Sequence, residues 1–257
     1  MESSEIKKPF ERGGIAMSKI LGTVKTIWLM SWAAFMTLFL FFPIMTTAFI
    51  SKTGNLPFTL SKIWARVILF ITGTRVKIRG KENINKKQSY VFISNHQSQF
   101  DILSIVATLG IQFRWVIKKE IMKVPLFGYA LYKSRNIFVD RSNTERAKES
   151  IHRGLERLPD GVSVMVFAEG TRSPDGRLGK FKKGGFNIAQ DKGFPILPVT
   201  VNGSRRVLPK KSFVFYPGTI DVVVGKPIDS TAVGKGALDE LIAATRRAIE
   251  MNLVLDS

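Results

Sequence analysis

The stretch at residues 162–168 reads Val-Ser-Val-Met-Val-Phe-Ala and is apolar at every position except Ser163. Such a run predicts a β-strand covered on both faces, because a strand with one face in water alternates apolar and polar residues. Similar short apolar runs lie along the rest of the chain, at Tyr90–Ser94, Phe113–Ile117, Ile137–Val139, Ile196–Val201 and Ile220–Val224. We therefore predict a sheet with both faces buried.

Amphipathic helical patterns separate these runs. One helix carries Ala147, Ile151 and Leu155 on a single face, and the spacing of Ser142 and Glu145 predicts a capping box at its start. Another apolar face near the C-terminus is formed by Leu238, Leu241, Ile242 and Ile249. The alternation of strands and helices predicts an α/β fold with a mostly parallel sheet flanked by helices. Ligands bind such sheets beyond the carboxyl ends of the strands.

The N-terminal part of the chain has a different composition. No charged residue occurs from Thr26 to Ser51, and about 20 apolar residues suffice to cross a bilayer as a helix. Pro43 lies inside this run and is expected to kink or end the helix. A second apolar stretch at Leu56–Thr72 carries two cations four residues apart, which favours an amphipathic helix lying along a membrane surface. The alternative is a buried helical hairpin in a soluble core.

We accordingly predict N-terminal membrane-docking helices over residues 1–74 and an α/β domain over residues 75–257.

Lys and Arg number 39 against 20 Asp and Glu, giving a net charge of +19, so an anionic partner is expected: nucleic acid, an anionic membrane or a phosphorylated substrate. The absence of cysteine excludes disulfides, thiolate nucleophiles and cysteine-ligated metals, and two histidines make a multi-histidine metal site unexpected. The larger positive excess downstream of the apolar run favours a cytoplasmic domain.

The first strand–helix junction contains His96 and Asp101. With His96 in the loop and Asp101 in the first helical turn, the chain can fold the imidazole onto the carboxylate, which would orient a general base. The same residues allow a simpler interpretation, in which Ser98 and Asp101 form a capping box and His96 is an ordinary loop residue. Ser98 is expected to cap the helix rather than act as a nucleophile, because no Gly-x-Ser-x-Gly motif surrounds it.

The second junction follows the strand at 162–168 and reads Glu169-Gly170-Thr171-Arg172. Glycine permits close backbone approach, and Thr and Arg offer donors to a phosphate. The alternative is an ordinary turn with a solvated basic loop. The spacing of a nucleotide P-loop is absent, so an ATP site is not predicted.

Together the two junctions resemble the membrane acyltransferases that acylate glycerolipids, and most closely the bacterial 1-acyl-sn-glycerol-3-phosphate acyltransferases. Four blocks of that family are matched in order, by residues 95–101, 137–141, 167–173 and 196–199. Residues 118–120 and 125–128 are also similar to the stretch between its first two blocks. One departure is Arg135-Asn136, where relatives commonly carry a glycine.

The resemblance implies transfer of an acyl chain from an acyl thioester to the sn-2 hydroxyl of lysophosphatidic acid, giving phosphatidic acid without an acyl-enzyme intermediate. His96, oriented by Asp101, would be the general base. The donor would be acyl-CoA or acyl carrier protein, and no metal or other cofactor is expected because a thioester is already activated. The acceptor alternatives are glycerol 3-phosphate and another lysolipid. The implied location is the inner membrane, with the active domain on its cytoplasmic side.

The resemblance also assigns residues to substrate binding. Arg172 is expected to contact the acceptor phosphate most directly, and Glu169 to brace Arg172 or a backbone amide. The full set of expected binding residues is Glu169, Gly170, Thr171, Arg172, Arg141 and Lys118.

Two other classes of function are less favoured. A nucleic-acid-binding protein would carry exposed aromatic residues among its cations, whereas here the aromatic residues concentrate in the apolar N-terminal stretch. A serine-type lipid hydrolase would need a nucleophile elbow, which is absent. The second histidine, His152, is expected to be an exposed helical residue with no catalytic role.

Overall fold

A computed structural model describes residues 10–212, 214–231 and 236–255. Helices and strands alternate along most of these ranges. In chain order they are α1 (Phe10–Ile50), α2 (Asn55–Ile71), β1 (Arg75–Arg79), β2 (Val91–Ser94), α3 (Gln99–Thr108), β3 (Phe113–Lys118), α4 (Phe127–Lys133), β4 (Ile137–Val139), α5 (Thr144–Glu156), β5 (Ser163–Phe167), α6 (Gly184–Lys192), β6 (Ile196–Asn202), α7 (Ser204–Val207), β7 (Thr219–Val224) and α8 (Ala237–Glu250). Two short 3₁₀ turns cover Lys81–Asn83 and Lys119–Lys123.

The seven described strands form one sheet in the order β1-β7-β6-β2-β5-β3-β4. Every neighbouring pair is parallel except β6 and β7, which are antiparallel. The predicted α/β fold with a mostly parallel sheet is therefore confirmed. Strand β1 was not predicted because it has no continuous apolar run. Its sequence, Arg-Val-Lys-Ile-Arg, alternates charged and apolar residues, as is typical of a strand at the edge of a sheet.

Both faces of the sheet are covered, and the central strand β2 shows how. Phe92 packs into a core formed with α2 and α3, whereas its neighbours Val91 and Ile93 pack into a second core formed with α5, α6 and α8. Successive strand residues point to opposite faces, so in a strand between two helical layers both sets of side chains are buried and most of them are apolar. This is the physical basis of the continuous apolar runs.

The two N-terminal helices differ in how they are buried. Within the described residues, the segment Ile27–Ile50 of α1 is the one helix long and apolar enough to cross a membrane. Helix α1 continues through Pro43 without ending, so of the two expectations for that proline the helix end is wrong. Helix α2 instead buries Phe58, Ala65 and Leu69 in the core that contains α3. Most of the segment Ile27–Ile50 is uncovered, whereas α2 packs against the α/β domain.

The turn between α1 and α2 is fixed to the domain by polar contacts. The buried guanidinium of Arg114 donates from Nη2 to Thr53 O (2.8 Å) and Asn55 Oδ1 (2.6 Å), and burial lowers its pKa to about 10. Gly54 has φ +74°, and a Cβ there would lie 2.4 Å from the carbonyl oxygen of Ser134. A rigid turn therefore joins the helices to α4. The boundary at residue 74 stays a prediction, and residues 1–9 of that unit lie outside the described ranges.

The N-cap of helix α5 lies one residue after the predicted cap, Ser142. Asn143 is the N-cap, and its Oδ1 accepts from Arg146 N at 2.8 Å. The predicted capping box from Ser142 to Glu145 is wrong. The amide of Ser142 instead donates to Asp140 Oδ1 (3.1 Å), so Asp140 holds the turn before the helix.

Candidate active site

The junction of β2 and α3 brings His96 and Asp101 into contact. His96 Nδ1 lies 2.7 Å from Asp101 Oδ2, and the same oxygen accepts from the backbone amides of Gln97 (2.6 Å) and Ser98 (2.8 Å). Ser98 Oγ accepts from Phe100 N at 3.3 Å and donates to Leu208 O at 2.7 Å. The capping box and the contact that orients the imidazole therefore occur together. Asp101 Oδ2 takes part in both. Ser98 is confirmed as a helix cap.

The contact with Asp101 determines how the imidazole is presented. Asp101 is fully buried, and the His96 side chain is 13% exposed. Because the carboxylate occupies Nδ1, the proton of a neutral imidazole is held there and Nε2 is left as the basic nitrogen. Phe167 stacks on the imidazole with ring centroids 3.8 Å apart and an angle of 6° between the planes. Trp115 in turn stacks on Phe167 at 5.3 Å, which leaves the imidazole little freedom to rotate.

The loop that carries His96 is pinned to its neighbours by backbone contacts. Asn95 Nδ2 donates to Val201 O (2.9 Å) and Asn95 Oδ1 accepts from Val201 N (2.8 Å), so this side chain continues the pairing of β2 with β6. On the other side, Ser173 N donates to His96 O at 2.7 Å. The two predicted junctions therefore meet at the same edge of the sheet.

Glu169 forms the second link between the junctions. Its Oε1 accepts from His96 N at 3.2 Å, and its Oε2 accepts from Gly179 N at 2.9 Å. Burial raises the pKa of the Glu169 carboxyl, an effect that the two backbone hydrogen bonds oppose. The sequence predicted that Glu169 would brace either Arg172 or a backbone amide. The carboxylate binds backbone amides, those of His96 and Gly179. It connects the His96 loop to the basic loop that follows β5.

The remaining binding candidates lie around the same edge, since β2, β5, β3 and β4 are parallel and their carboxyl ends coincide. Arg141 Nη1 donates to Gly170 O at 2.8 Å, where Gly170 has φ +71°. Arg172 is partly buried, and its carbonyl oxygen accepts from Lys210 Nζ at 2.6 Å. Thr171 is exposed, and Lys118 lies 3.6 Å from Glu120 in an exposed ion pair. Glu169 is the one candidate of this group that directly contacts the His96 loop through its side chain.

Comparisons with known proteins identify the family of the chain. The family model described as Acyltransferase matches residues 75–202. The 1-acyl-sn-glycerol-3-phosphate acyltransferase of Pseudomonas aeruginosa is 37% identical over 183 residues, covering 69% of this chain and 70% of the relative. The chain belongs to the acyltransferase family.

Further relatives of this acyltransferase extend the match in fold and sequence. The crystal structure of the 1-acyl-sn-glycerophosphate (LPA) acyltransferase PlsC from Thermotoga maritima has a TM-score of 0.75 and 25% identity, covering 90% of this chain and 95% of that one. The chloroplastic 1-acyl-sn-glycerol-3-phosphate acyltransferase of Arabidopsis thaliana is 34% identical over 66% of this chain. The chain spans about half the length, 48%, of that plant relative.

Sequence reasoning gave no role to three residues at the site of this acyltransferase. Phe167 belongs to the third matched block, but its stacking on His96 depends on the pairing of β5 with β2. Lys210 follows β6 by eight positions and reaches Arg172 across the sheet edge. Asn95 precedes His96, and the two hydrogen bonds to Val201 were not predictable from a local pattern. The available signal was only that Phe167 and Asn95 lie at the ends of strands, and Lys210 had no such signal.

The other histidine of this acyltransferase lies elsewhere. The side chain of His152 on α5 is 77% exposed, and its Nε2 lies 3.4 Å from Glu156 Oε1 one turn further along the helix. It is thus an exposed helical histidine, as predicted, although a carboxylate does lie one turn away. His152 provides a matched comparison for His96 because its side chain is exposed and is paired with Glu156 rather than with a buried carboxylate.

Proposed function

We propose that this acyltransferase transfers an acyl chain from an acyl thioester to the sn-2 hydroxyl of 1-acyl-sn-glycerol 3-phosphate and so produces phosphatidic acid. The bacterial and plant relatives are 1-acyl-sn-glycerol-3-phosphate acyltransferases, which supports this reaction, as does the likeness to PlsC over 95% of that chain. The single structural observation that carries the proposal is the 2.7 Å contact between His96 Nδ1 and the buried Asp101 carboxylate. A histidine held in this way is a general base with a defined basic nitrogen.

In the proposed reaction, His96 Nε2 removes the proton of the sn-2 hydroxyl. The hydroxyl oxygen attacks the thioester carbonyl, and a C–O bond forms while the carbonyl π electrons move to oxygen. Collapse of this tetrahedral intermediate breaks the C–S bond, and the departing sulfur takes the proton from the imidazolium. Asp101 stabilises the imidazolium while it carries that proton. General-base assistance of this kind contributes about 10² to 10⁴-fold, and no acyl-enzyme is required.

The acceptor phosphate is proposed to bind at the basic loop after β5. Arg172 is partly buried there, and Lys210 brings a second cation to its backbone carbonyl oxygen. A guanidinium presents paired donors that match phosphate oxygens, which favours Arg172 as the direct contact. The contact of Arg141 with Gly170 supports a role in shaping this loop. Lys118 remains a proposed contact for the acceptor or the donor.

The donor is proposed to be acyl-CoA or acyl carrier protein, with no metal or other cofactor. We further propose that α1 lies in the inner membrane and that the α/β domain faces the cytoplasm. The apolar segment Ile27–Ile50 and the net charge of +19 support a location at an anionic leaflet. An acceptor that is itself a lipid would reach the site from that leaflet.

The test uses the purified full chain in vesicles with lysophosphatidic acid and acyl-CoA, and follows free thiol and phosphatidic acid together. The wild type and His152→Ala are expected to release equal amounts of thiol and phosphatidic acid, whereas His96→Ala is expected to lose at least about 100-fold in rate. Acyl carrier protein replaces CoA in a parallel series, and glycerol 3-phosphate replaces the acceptor in another. Thiol release without phosphatidic acid, or silence with both donors, would overturn the assignment.

A further inference from the structure

The segment before and within α4 exposes an unusual number of large apolar side chains. Six of them are at least 36% exposed, and Leu126 reaches 64%. We call these residues the α4 apolar patch: Met122, Val124, Leu126, Phe127, Tyr129 and Tyr132. Scattered apolar residues are normal on a surface, but six within eleven positions form a contiguous group, which marks an interaction site.

The backbone holds this patch in a strained conformation. Phe127 N donates to Pro125 O at 2.6 Å across Leu126, whose φ is +60° and ψ −53°. A γ-turn with positive φ at a leucine is unfavourable. Gly128 then lies so close to the preceding 3₁₀ turn that a Cβ would be 2.4 Å from Met122 O. The fold therefore supports a costly turn whose result is to project Leu126 outward.

The patch is continuous with the exposed surface of α1. Tyr129 contacts the ring of Phe49 with centroids 5.4 Å apart. On the inner side of α4, Ala130 packs with Met45 and Ala48 of α1. Helix α4 is thus attached to the C-terminal end of the apolar segment Ile27–Ile50.

Cations border the same surface. Lys133 Nζ lies 5.4 Å from the centre of the Tyr129 ring, and Arg135 Nε donates to Lys52 O at 3.1 Å. Lys123, which lies between Met122 and Val124 of the patch, ends the 3₁₀ turn. Apolar and tyrosine side chains framed by Lys and Arg are the arrangement expected where a protein enters the headgroup layer of an anionic membrane.

We infer that the α4 apolar patch is a second membrane contact. It inserts into the same leaflet as α1 and sets the orientation of the end of the sheet that carries His96. The inference rests on the proposed membrane location of α1. Two points of attachment, α1 and Leu126, restrict rotation of the domain about the α1 axis, which a single helix leaves free. We assign lipid rather than a second copy of the chain as the binding partner of this patch, because the patch continues an apolar helix and is bordered by cations.

The chain contains no cysteine, so single-cysteine variants can be labelled without altering other residues. Leu38→Cys on α1, Leu126→Cys on the patch and Met251→Cys beyond α8 are each labelled with nitrobenzoxadiazole; all three positions are exposed. Each is then mixed with phosphatidylcholine–phosphatidylglycerol vesicles that carry a nitroxide on the acyl chains. Labels at 38 and 126 are expected to be quenched by the nitroxide lipid and shielded from iodide. The label at 251 is expected to show the opposite behaviour.

The outcomes separate this inference from the proposal on which it rests. Quenching at 38 with no quenching at 126 would overturn the second contact alone, and failure at both positions would overturn the membrane location. Shielding of 126 from iodide without lipid quenching would identify another protein surface as the occupant and would also refute the inference.

A functional variant gives an independent measurement. Leu126→Glu is expected to lower activity on vesicle-borne lysophosphatidic acid about tenfold, which is the effect on the binding equilibrium of keeping one large apolar side chain out of the membrane. Activity on a water-soluble short-chain analogue should stay unchanged, and Met251→Glu serves as the matched control. Equal losses on both substrates would indicate damage to the fold, and no loss on either would contradict the inference.

Discussion

Asp101→Asn removes one charge from the site and very little of its shape. Asp101 Oδ2 accepts from His96 Nδ1, Gln97 N and Ser98 N, while Oδ1 is buried without a hydrogen-bond partner among the described residues. An asparagine with its oxygen at the Oδ2 position can accept all three hydrogen bonds. Its amide nitrogen then occupies the unpartnered position. The substitution therefore tests the charge of Asp101 rather than its geometry.

Asp101→Asn is expected to lower both the free energy of unfolding and kcat. The two backbone hydrogen bonds are the same before and during the reaction, so weakening them from charge-assisted to neutral costs only stability, about 1 kcal/mol each. The contact with His96 changes during the reaction, because the imidazole becomes charged. With charge centres about 4 Å apart and an effective dielectric constant near 20, the lost attraction is about 4 kcal/mol. Since the neutral amide retains part of it, we expect kcat to fall about 10² to 10³-fold.

The assay is thiol release at saturating donor and acceptor, with the free energy of unfolding measured in parallel by denaturant titration. KM for both substrates should stay within about twofold, because the carboxylate acts through His96. The double variant with His96→Ala should be no slower than His96→Ala alone, since the two residues act as a unit. Asp239→Asn, an exposed carboxylate paired with Lys183, is the matched control. A folded Asp101→Asn enzyme with kcat within threefold of the wild type would refute the assigned role.

Three further predictions concern the surroundings of the site. Burial raises the pKa of the Glu169 carboxyl above 4.5, so the free energy of unfolding of the wild type should fall as the pH rises from 4.5 through that higher value. Glu169→Gln should remove this dependence, which denaturant titrations at several pH values would measure. Phe167→Leu should lower kcat about two- to tenfold without changing KM, since a stacked aromatic pair contributes about 0.5–1.5 kcal/mol, and Phe167→Tyr should restore the rate in the same assay. Arg135 has φ +65°, so Arg135→Gly should be about 1 kcal/mol more stable than Arg135→Ala in denaturant titration, and equal stabilities would show that the left-handed backbone is not a cost there.

Local patterns were sufficient to predict most of the fold. Each covered strand had a continuous apolar run because both of its faces are buried, and the run at 162–168 matches β5 to within one residue at each end. The pairing of His96 with Asp101 was also accessible, since five positions across a loop and a first helical turn determine their approach. The cap of α5 was misplaced because Ser142 and Asn143 are both good capping residues, and which of them caps depends on the contact with Asp140.

The sequence by itself determined six of the seven described strands and the helix that follows His96, because each depends on residues a few positions apart. It indicated the class of chemistry through four short motifs that occur in the order of a known family. Only the tertiary structure decided what meets across the sheet. Glu169 and His96 are 73 positions apart, and their contact requires β5 to lie beside β2. The same holds for Lys210 at Arg172 and for the α4 apolar patch beside α1, since neither helical periodicity nor strand alternation specifies which elements become neighbours. Burial patterns identify the faces that must be covered, and packing of the whole chain selects the partner that covers them.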